Sequence, residues 1–536
     1  MIKRIQKLYK RKYPEDLPYT KEQAWELAEL TFETKKQIGL LIDRKGLVLK
    51  VIVGDHEKIV IPELGRIRVK SGRLKGIRLL HTHRGKTPLT QDDLMDLIFL
   101  RLDNIGVLMV GEQGNPEKFQ WAHILPSNHE NKPYYLSEIL PWDTDKINLK
   151  GTIQAIEEEL SRNIEKGVLS KNKEKALLVS VDTTSKEIQE KSLKELAELA
   201  KTAGVEVCGR LIQRVKSINP QFIIGKGKLA ELEVLCLQTD ANILIFDREL
   251  TPSQINNLAK LTERKIIDRT QLILDIFAQH AKSKAGKFQV ELAQLEYTLP
   301  RLIGKNRAMS RLTGGIGGRG PGETKLEMDR RRIRERRTKL KKELNKIKTQ
   351  RAHKRLRRQK AGLPIVSLVG YTNVGKSTLL NVLTRSDIYT ANKLFATLDP
   401  TSRKIRFPNE KEVIITDTVG FVKYMPQKLK EAFMATLEEL NMADVILHVA
   451  DASHENVEEQ ISAVREILTE MKLMDIPEIL VLNKIDQISE EDKERLRHMF
   501  PEGIFISALT RENLDILVDR ISRILPTKRN FVENKY

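Results

Sequence analysis

Between residues 370 and 509, four short motifs carry the residue types that handle nucleotides. Gly370-Tyr371-Thr372-Asn373-Val374-Gly375-Lys376-Ser377 has the GxxxxGK[ST] spacing. Its glycines let backbone N–H groups close around phosphates, Lys376 reaches the β and γ oxygens, and Ser377 offers a hydroxyl to Mg²⁺. Asp417-Thr418-Val419-Gly420 follows. Its carboxylate can hold Mg²⁺ through water, and the Gly420 amide can sense a γ-phosphate. In Asn483-Lys484-Ile485-Asp486 the last carboxylate can accept two hydrogen bonds from guanine, whose N1–H and exocyclic amine form a donor pair that adenine lacks. Ser507-Ala508-Leu509 then supplies backbone donors for the guanine oxygen. Each motif closes an apolar run, and the four stand in the order a nucleotide fold requires. They read as one guanine-nucleotide site.

Two positions leave alternatives open. Phe395-Ala396-Thr397-Leu398-Asp399-Pro400-Thr401 lies between the first two motifs, so either Thr397 or Thr401 could close the Mg²⁺ shell; the rival is an Asp-Pro turn. Asn373 either helps to hold K⁺ at the β–γ bridge or braces the loop by hydrogen bonds. Phe421 raises a different point. Many GTPases place a glutamine there to orient the attacking water, and phenylalanine cannot, so unassisted hydrolysis is expected to be slow. Lys376 and Gly420, with Thr397 or Thr401 and with Asn373 where it holds the cation, are the groups expected to act at the γ-phosphate.

The elements that must position these residues are α/β in pattern. At 536 residues the chain is expected to hold several domains, and 40% hydrophobic with 31% charged residues is the balance of a folded chain. Residues 1–150 show apolar runs at Ile38–Ile42, Leu47–Val53, Ile77–Leu80 and Ile105–Val110. A linker helix is expected over 151–175. Residues 176–268 alternate strands (Ala176–Asp182, Val205–Arg214, Ala241–Asp247, Lys265–Asp268) with helices (Ile188–Ala203, Lys228–Gln238, Pro252–Glu263), the mark of a parallel βαβ sheet. Residues 269–361 read as an antiparallel helical arm, with Leu292, Leu295, Leu299 and Leu302 on one side and Leu326, Ile333, Leu340, Leu344 and Ile347 on the other. Its tip would be the glycine-rich stretch 304–322. The nucleotide domain spans 362–526, followed by a tail at 527–536.

Charge concentrates in the arm. The whole chain carries +20, and between Lys325 and Lys360 stand 18 basic and four acidic residues, a net +14. Such a block calls for a polyanion, nucleic acid before membrane. No apolar run reaches the ~18 residues of a membrane span, the N-terminus lacks the pattern of a secretory signal, and Cys208 and Cys236 cannot staple a scaffold. A cytoplasmic setting is expected.

Further stretches add to the motifs: GKGK at 225–228, FDREL at 246–250, DRTQLILDIFAQHA at 268–281 and GGIGGRGPGETKLEMDRR at 314–331. With FATLDPT, DTVGF and NKID, they make residues 176–525 closely resemble the HflX family of GTPases. That resemblance implies an N-terminal α/β domain with a helical arm joined to a Ras-like GTPase domain. It implies GTP or GDP with Mg²⁺ as ligands, Thr397 beside Ser377 on the metal, and hydrolysis of GTP. It further implies a monomer that binds the 50S ribosomal subunit and its 23S rRNA and splits stalled or stress-arrested ribosomes. A competing reading is an NTPase that remodels RNA through a second nucleotide at 176–360.

Residues 1–150 stand outside that resemblance. His81, His83, Thr90 and Asp93 resemble the HxH…[ST]xxD stretch of JAB/MPN domains, including the RadC branch, in which two histidines and an aspartate bind zinc and an upstream glutamate activates water. The spacing is one residue short, no proline follows His83, and the glutamate could be Glu33, Glu57 or Glu63. The expectation is a degenerate scaffold with surface histidines and no zinc at His81, His83 and Asp93; the alternatives are a metal held without catalysis and a GTPase-gated zinc peptidase.

Overall fold

The computed structural model describes residues 2–56, 58–62, 73–125, 133–166, 174–301, 321–360, 363–384, 401–406, 412–418, 420–421 and 438–525. They form two compact units, residues 1–194 with 204–267, and residues 195–203 with 268–536.

In the first unit, helices α1 (Ile2–Leu8) and α2 (Lys21–Thr34) precede strands β1 (Ile38–Asp43), β2 (Val48–Val53) and β3 (Ile77–Arg84). Helix α3 (Gln91–Phe99), strands β4 (Ile105–Val110), β5 (Pro116–Ile124), β6 (Tyr134–Leu136) and β7 (Leu140–Pro141), and helix α4 (Leu149–Lys166) follow. The sheet order is β2-β1-β3-β4-β5-β6, with β7 also on β5. Side chains alternate across it, as strand geometry demands. Ile38, Leu40, Leu80 and Leu108 pack with α2 residues Leu27 and Leu30 in one cluster. Leu41, Leu79 and Val107 pack with α3 residues Leu94 and Ile98 in another. Both helices start on capping boxes, Thr20 with Gln23 and Thr90 with Asp93.

The second sheet of this unit has the order β11-β10-β8-β9. Its strands are β8 (Lys175–Asp182), β9 (Glu206–Arg214), β10 (Ile243–Phe246) and β11 (Lys265–Asp268), joined by α5 (Lys186–Thr202, of which residues 195–202 count with the second unit), α6 (Lys226–Thr239) and α7 (Pro252–Leu261). Both β10 and β9 pair with β8 in parallel.

The segments drawn from sequence as 1–150, 151–175 and 176–268 share one hydrophobic core. Leu94 and Ile98 of α3, Ile156 and Leu160 of α4, and Leu229 and Leu232 of α6 all belong to it. Helix α4 is therefore no spacer. Its Glu157 accepts from the Arg44 guanidinium at 2.6 Å and from the Leu74 amide at 3.0 Å. Arg44 also pairs with the buried Asp103 at 2.6 Å, and Lys226 and Lys75 pair with Asp92 and Glu263.

The second unit begins with α8 (Arg269–His280), α9 (Lys284–Arg301) and α10 (Pro321–Lys360). At 1.5 Å per residue the 40 residues of α10 extend about 60 Å. Helices α9 and α10 pack together, and Arg336–Glu291 and Lys341–Glu296 pair at 2.6 and 3.0 Å. The seam on α9 differs from the leucine pattern. Leu292, Leu295 and Leu299 are only half-buried, while Ala285, Gln289, Val290, Ala293 and Tyr297 are buried. Small residues at 285 and 293 allow close approach of a neighbour, which outweighs the larger leucines. On α10 the heptad reading holds better, with Leu340 buried and Ile333, Leu344 and Ile347 partly covered. The proposed tip at 304–322 lies outside the described residues up to Pro321, as do Leu302 and the 527–536 tail.

The nucleotide domain contains β12 (Ile365–Gly370), α11 (Lys376–Thr384), β13 (Thr401–Arg406), β14 (Glu412–Asp417), β15 (Val445–Asp451), α12 (Val457–Glu470), β16 (Glu478–Asn483), α13 (Glu490–Met499), β17 (Ile504–Phe505) and α14 (Leu514–Ile524). Its sheet order is β13-β14-β12-β15-β16-β17. All pairs are parallel except β13 with β14.

Candidate functional site

The phosphate loop leaves the C-terminal end of β12 and turns directly into α11, so the helix N-terminus faces whatever the loop encloses. Two glycines are required by close contacts. A Cβ on Gly370, whose φ is +150°, would lie 2.1 Å from the Val449 carbonyl oxygen. A Cβ on Gly375, φ +92°, would lie 2.4 Å from Asn483 Nδ2. Asn373 is exposed at the turn with φ +62°, a conformation asparagine tolerates better than most residues.

The lysine and the two candidate Mg²⁺ ligands Ser377 and Asp417 converge here. Lys376 Nζ is buried and donates to the carbonyls of Tyr371 at 2.6 Å and Gly370 at 3.1 Å. Ser377 Oγ donates to Asp417 Oδ2 at 2.6 Å, which brings two predicted Mg²⁺ ligands together. A hydroxyl and a carboxylate in contact suit a hard cation with oxygen ligands, and these two would hold it. Thr418 is buried and donates to the Leu368 carbonyl at 2.7 Å, bracing β14 against β12. Gly420 lies against the loop, since a Cβ there would come within 2.9 Å of Thr372 Cα.

Phe421 explains its own chemistry. Its amide donates to the Gly370 carbonyl at 3.1 Å, and its carbonyl accepts from the Thr372 amide at 2.9 Å. Its ring is 1% exposed and packs with Val369, Leu440, Ile446 and Val464. The side chain is a core anchor behind the phosphate loop, and an apolar ring offers nothing to orient a water.

The base-recognition motifs meet through one side chain. Asn483 Nδ2 donates to the Val374 carbonyl at 2.8 Å, and its Oδ1 accepts from the Ala508 amide at 2.9 Å. Lys484 has φ +67° and its ammonium pairs with Asp451 at 2.5 Å. Ile485 and Ser507 are buried, whereas Asp486 and Leu509 are exposed at the mouth. Phe395, Ala396, Thr397, Leu398, Asp399 and Val419 lie outside the described residues. Sequence reasoning missed the partner of Tyr371, whose phenol donates to Glu195, 176 positions earlier. No local signal marks such a pair.

In the first unit, His81, His83 and Asp93 come together, each offering one ligand atom within 4.8 Å of the others. The histidines are 1% and 3% exposed, which corrects the expectation of surface residues. The reason is register: β3 lies between β1 and β4, and its residues 77–83 are all buried. His81 Nε2 lies 3.2 Å from His83 Nε2 and 3.4 Å from Asp93 Oδ1. His83 Nδ1 meets the Thr87 carbonyl at 3.1 Å; donating there leaves its Nε2 lone pair for a ligand. His81 Nδ1 is buried without a partner. Burial alone would raise the Asp93 carboxyl, yet contacts from His81 and Thr90 hold it below the ordinary range. Burial and the neighbouring His81 push His83 below its ordinary value, against the pull of Asp93. Glu33 does not join this cluster, for it pairs with Arg4 at 2.7 Å. Glu57 and Glu63 lie outside the described residues. Continuing the β1–β3 register past Gly39 and His81 sets the buried Gln37 opposite His83.

Three family models match in succession: GTP-binding GTPase N-terminal over 190–278, GTP-binding GTPase Middle Region over 280–358, and 50S ribosome-binding GTPase over 365–484. The GTPase HflX of Caldanaerobacter subterraneus is 49% identical over 361 residues, 67% of this chain and 82% of that protein. This chain belongs to the HflX family of GTPases. HflX of Lacrimispora saccharolytica is 44% identical across 69% of this chain and 87% of its own length. HflX of Escherichia coli is 42% identical across 66% and 83%. As an HflX GTPase the chain binds GTP and hydrolyses it to GDP, and the four motifs are the candidate site for it.

The buried lysine gives this HflX site a pH signature. Burial pushes Lys376 down to about 8, with Asp417 opposing. Phosphates binding beside it favour the ammonium and raise that value in the complex. Affinity should then be flat below about pH 8 and fall by up to about tenfold per unit above it. A fluorescent-GDP titration between pH 7 and 9 measures this, and an unchanged Kd at pH 9 would show that Lys376 stays charged in the free protein.

Proposed function

We propose that this chain binds the 50S subunit, contacts its 23S rRNA and separates stalled ribosomes under stress, with GTP and GDP as the two settings of the switch. The observation that carries the reading is the charge on α10, where Arg331, Arg332, Arg334, Lys339, Lys341 and Lys342 are exposed along one long helix. Polyphosphate backbones bind such surfaces by releasing counterions. The family model over the nucleotide domain, described as a 50S ribosome-binding GTPase, supports it. The chain would work as a cytoplasmic monomer, and among the described residues no helix is long and apolar enough to cross a membrane. Phe421 leaves water unpositioned, so the partner would complete the site. The rival is an NTPase that remodels RNA through a second nucleotide at 176–360, and a stoichiometry of one nucleotide per chain would sink it.

Splitting of 70S ribosomes on sucrose gradients, with GTP, GDP or a non-hydrolysable analogue, tests the reading directly. Replacing Arg330, Arg331, Arg332 and Arg334 by glutamine should weaken 50S association and flatten its salt dependence. On double-stranded DNA each phosphate contact contributes about 0.9 to the log–log salt slope, and folded RNA should be of that order. Wild-type affinity and slope in that variant would make α10 an ordinary solvated helix. With 50S present, hydrolysis should rise several-fold and run faster in K⁺ than in Na⁺ if Asn373 helps to hold a cation. Equal rates in the two salts would leave Asn373 a bracing role.

A second reading attaches to the triad of His81, His83 and Asp93. Their burial and mutual distances favour a bound metal, and of the three candidate glutamates Glu33 is committed to Arg4. The full-length chain should carry about one zinc per molecule by elemental analysis, in keeping with two histidines and a carboxylate as ligands, and His83→Ala should abolish it. Failure of the wild-type chain to take up equimolar zinc would leave the triad a buried hydrogen-bonded cluster.

A further inference from the structure

Tyr371 is held from two sides. Its carbonyl accepts from Lys376 Nζ at 2.6 Å, and its backbone pairs with Phe421 at the end of the DxxG motif. Its phenol, on a side chain 8% exposed, donates to Glu195 Oε1. Glu195 lies in the stretch 195–203, which belongs to the same compact unit as the nucleotide domain and the arm. Its other oxygen accepts from Arg269, the first residue of α8, whose side chain is 3% exposed. The preceding residue, Asp268, caps α8 by accepting from the Gln271 amide at 2.9 Å. The second oxygen of Asp268 lies 3.4 Å from the Arg301 guanidinium. Arg301 is the last residue of α9, stacked 3.3 Å over the Tyr297 ring and bonded to the Tyr297 carbonyl at 2.7 Å. The next residues in the chain are the glycine-rich stretch.

We infer that Glu195 is a positioning residue that links the phosphate loop to the base of the arm, through Tyr371 on one side and Arg269 with Asp268 and Arg301 on the other. The physical reason lies in what a phosphate must do on arrival. Its oxygens compete with the Tyr371 and Gly370 carbonyls for the Lys376 ammonium, and a γ-phosphate draws on the Gly420 amide next to Phe421. Both grips on the Tyr371 backbone therefore depend on the nucleotide. The phenol carries any resulting shift to a carboxylate that is already committed to Arg269. In a partly buried, low-dielectric setting, such charge-assisted bonds are strong and directional, so displacing one end strains the other. Glu195 cannot keep both partners once Tyr371 shifts, so on this inference the link acts as a two-state element and not as a static brace.

Hydrogen exchange on the full-length protein tests this without a ribosome. Amides in the first turn of α8, residues 269–273, and the last turn of α9, residues 297–301, are followed with saturating GDP and with a saturating non-hydrolysable GTP analogue. The wild-type chain should exchange at rates differing by about fivefold or more between the two nucleotides, the lower end of ordinary coupling. Tyr371→Phe removes the phenol donor, and Glu195→Gln keeps the shape while removing the charge that holds Arg269. Each should erase the difference between nucleotides, and the double variant should do no more than either alone. Nucleotide is set well above each variant's own measured Kd, so altered affinity cannot mimic the result. A merely structural role would raise exchange equally in both nucleotide states and leave their difference intact. That outcome, or a wild-type chain with no nucleotide-dependent difference at these turns, would overturn the inference.

Discussion

Asn483 holds the nucleotide site in register. Its amide gives one hydrogen bond to the phosphate loop and takes one from the Ser507–Leu509 turn, so three motifs far apart in sequence are fixed by one side chain. The constraint runs outward from there. Gly375 must lack a Cβ because Asn483 occupies that space. The loop carbonyl at Val374 is thereby fixed, and Lys376 and Ser377 follow at the start of α11. Both of its partner groups are buried backbone, where a lost hydrogen bond costs roughly 1–3 kcal/mol. The guanine carboxylate at Asp486 sits three residues on, carried by the same strand end. The candidate phosphate loop and the candidate base-recognition turn are thus two ends of one hydrogen-bonded piece.

Much of this site was legible in the sequence because its chemistry is local. Gly370 to Ser377 needs fixed residue types at fixed spacing, and the apolar runs before each motif are strands buried in a parallel sheet. What could not be read is contact at long range. The Phe421 side chain lacks the chemistry of glutamine, which sequence shows, but its burial against Val369 and Val464 depends on how β15 and α12 pack. Glu195 had no signal at all, since a glutamate on an amphipathic helix is ordinarily a solvated one.

The fold divides in the same way. Strands β8 to β11 and helices α5 to α7 fall within a few residues of their periodic patterns, because each buries one face or stripe. The misreadings concern partners. His81 and His83 look polar in sequence, yet β3 is central, so both are buried. Leucines at 292, 295 and 299 look like a seam, yet close packing selects the alanines beside them. The stretch 151–175 looks like a linker between domains, yet Ile156 and Leu160 of its helix belong to a common core.

That common core has a consequence for how the chain is made. Lys75 meets Glu263 across 188 positions, and Asp92 meets Lys226 across 134. Helix α3 gains its neighbours on α6 only when that helix has been synthesised. At about 5–20 residues per second, the hundred-odd residues from 150 to 261 take roughly 5–20 s to add. Throughout that interval the nascent chain presents Leu94, Ile98 and Leu160 without their final neighbours. Completion of this core is therefore timed by translation of the middle of the gene, and a pause there would prolong the exposure of these side chains.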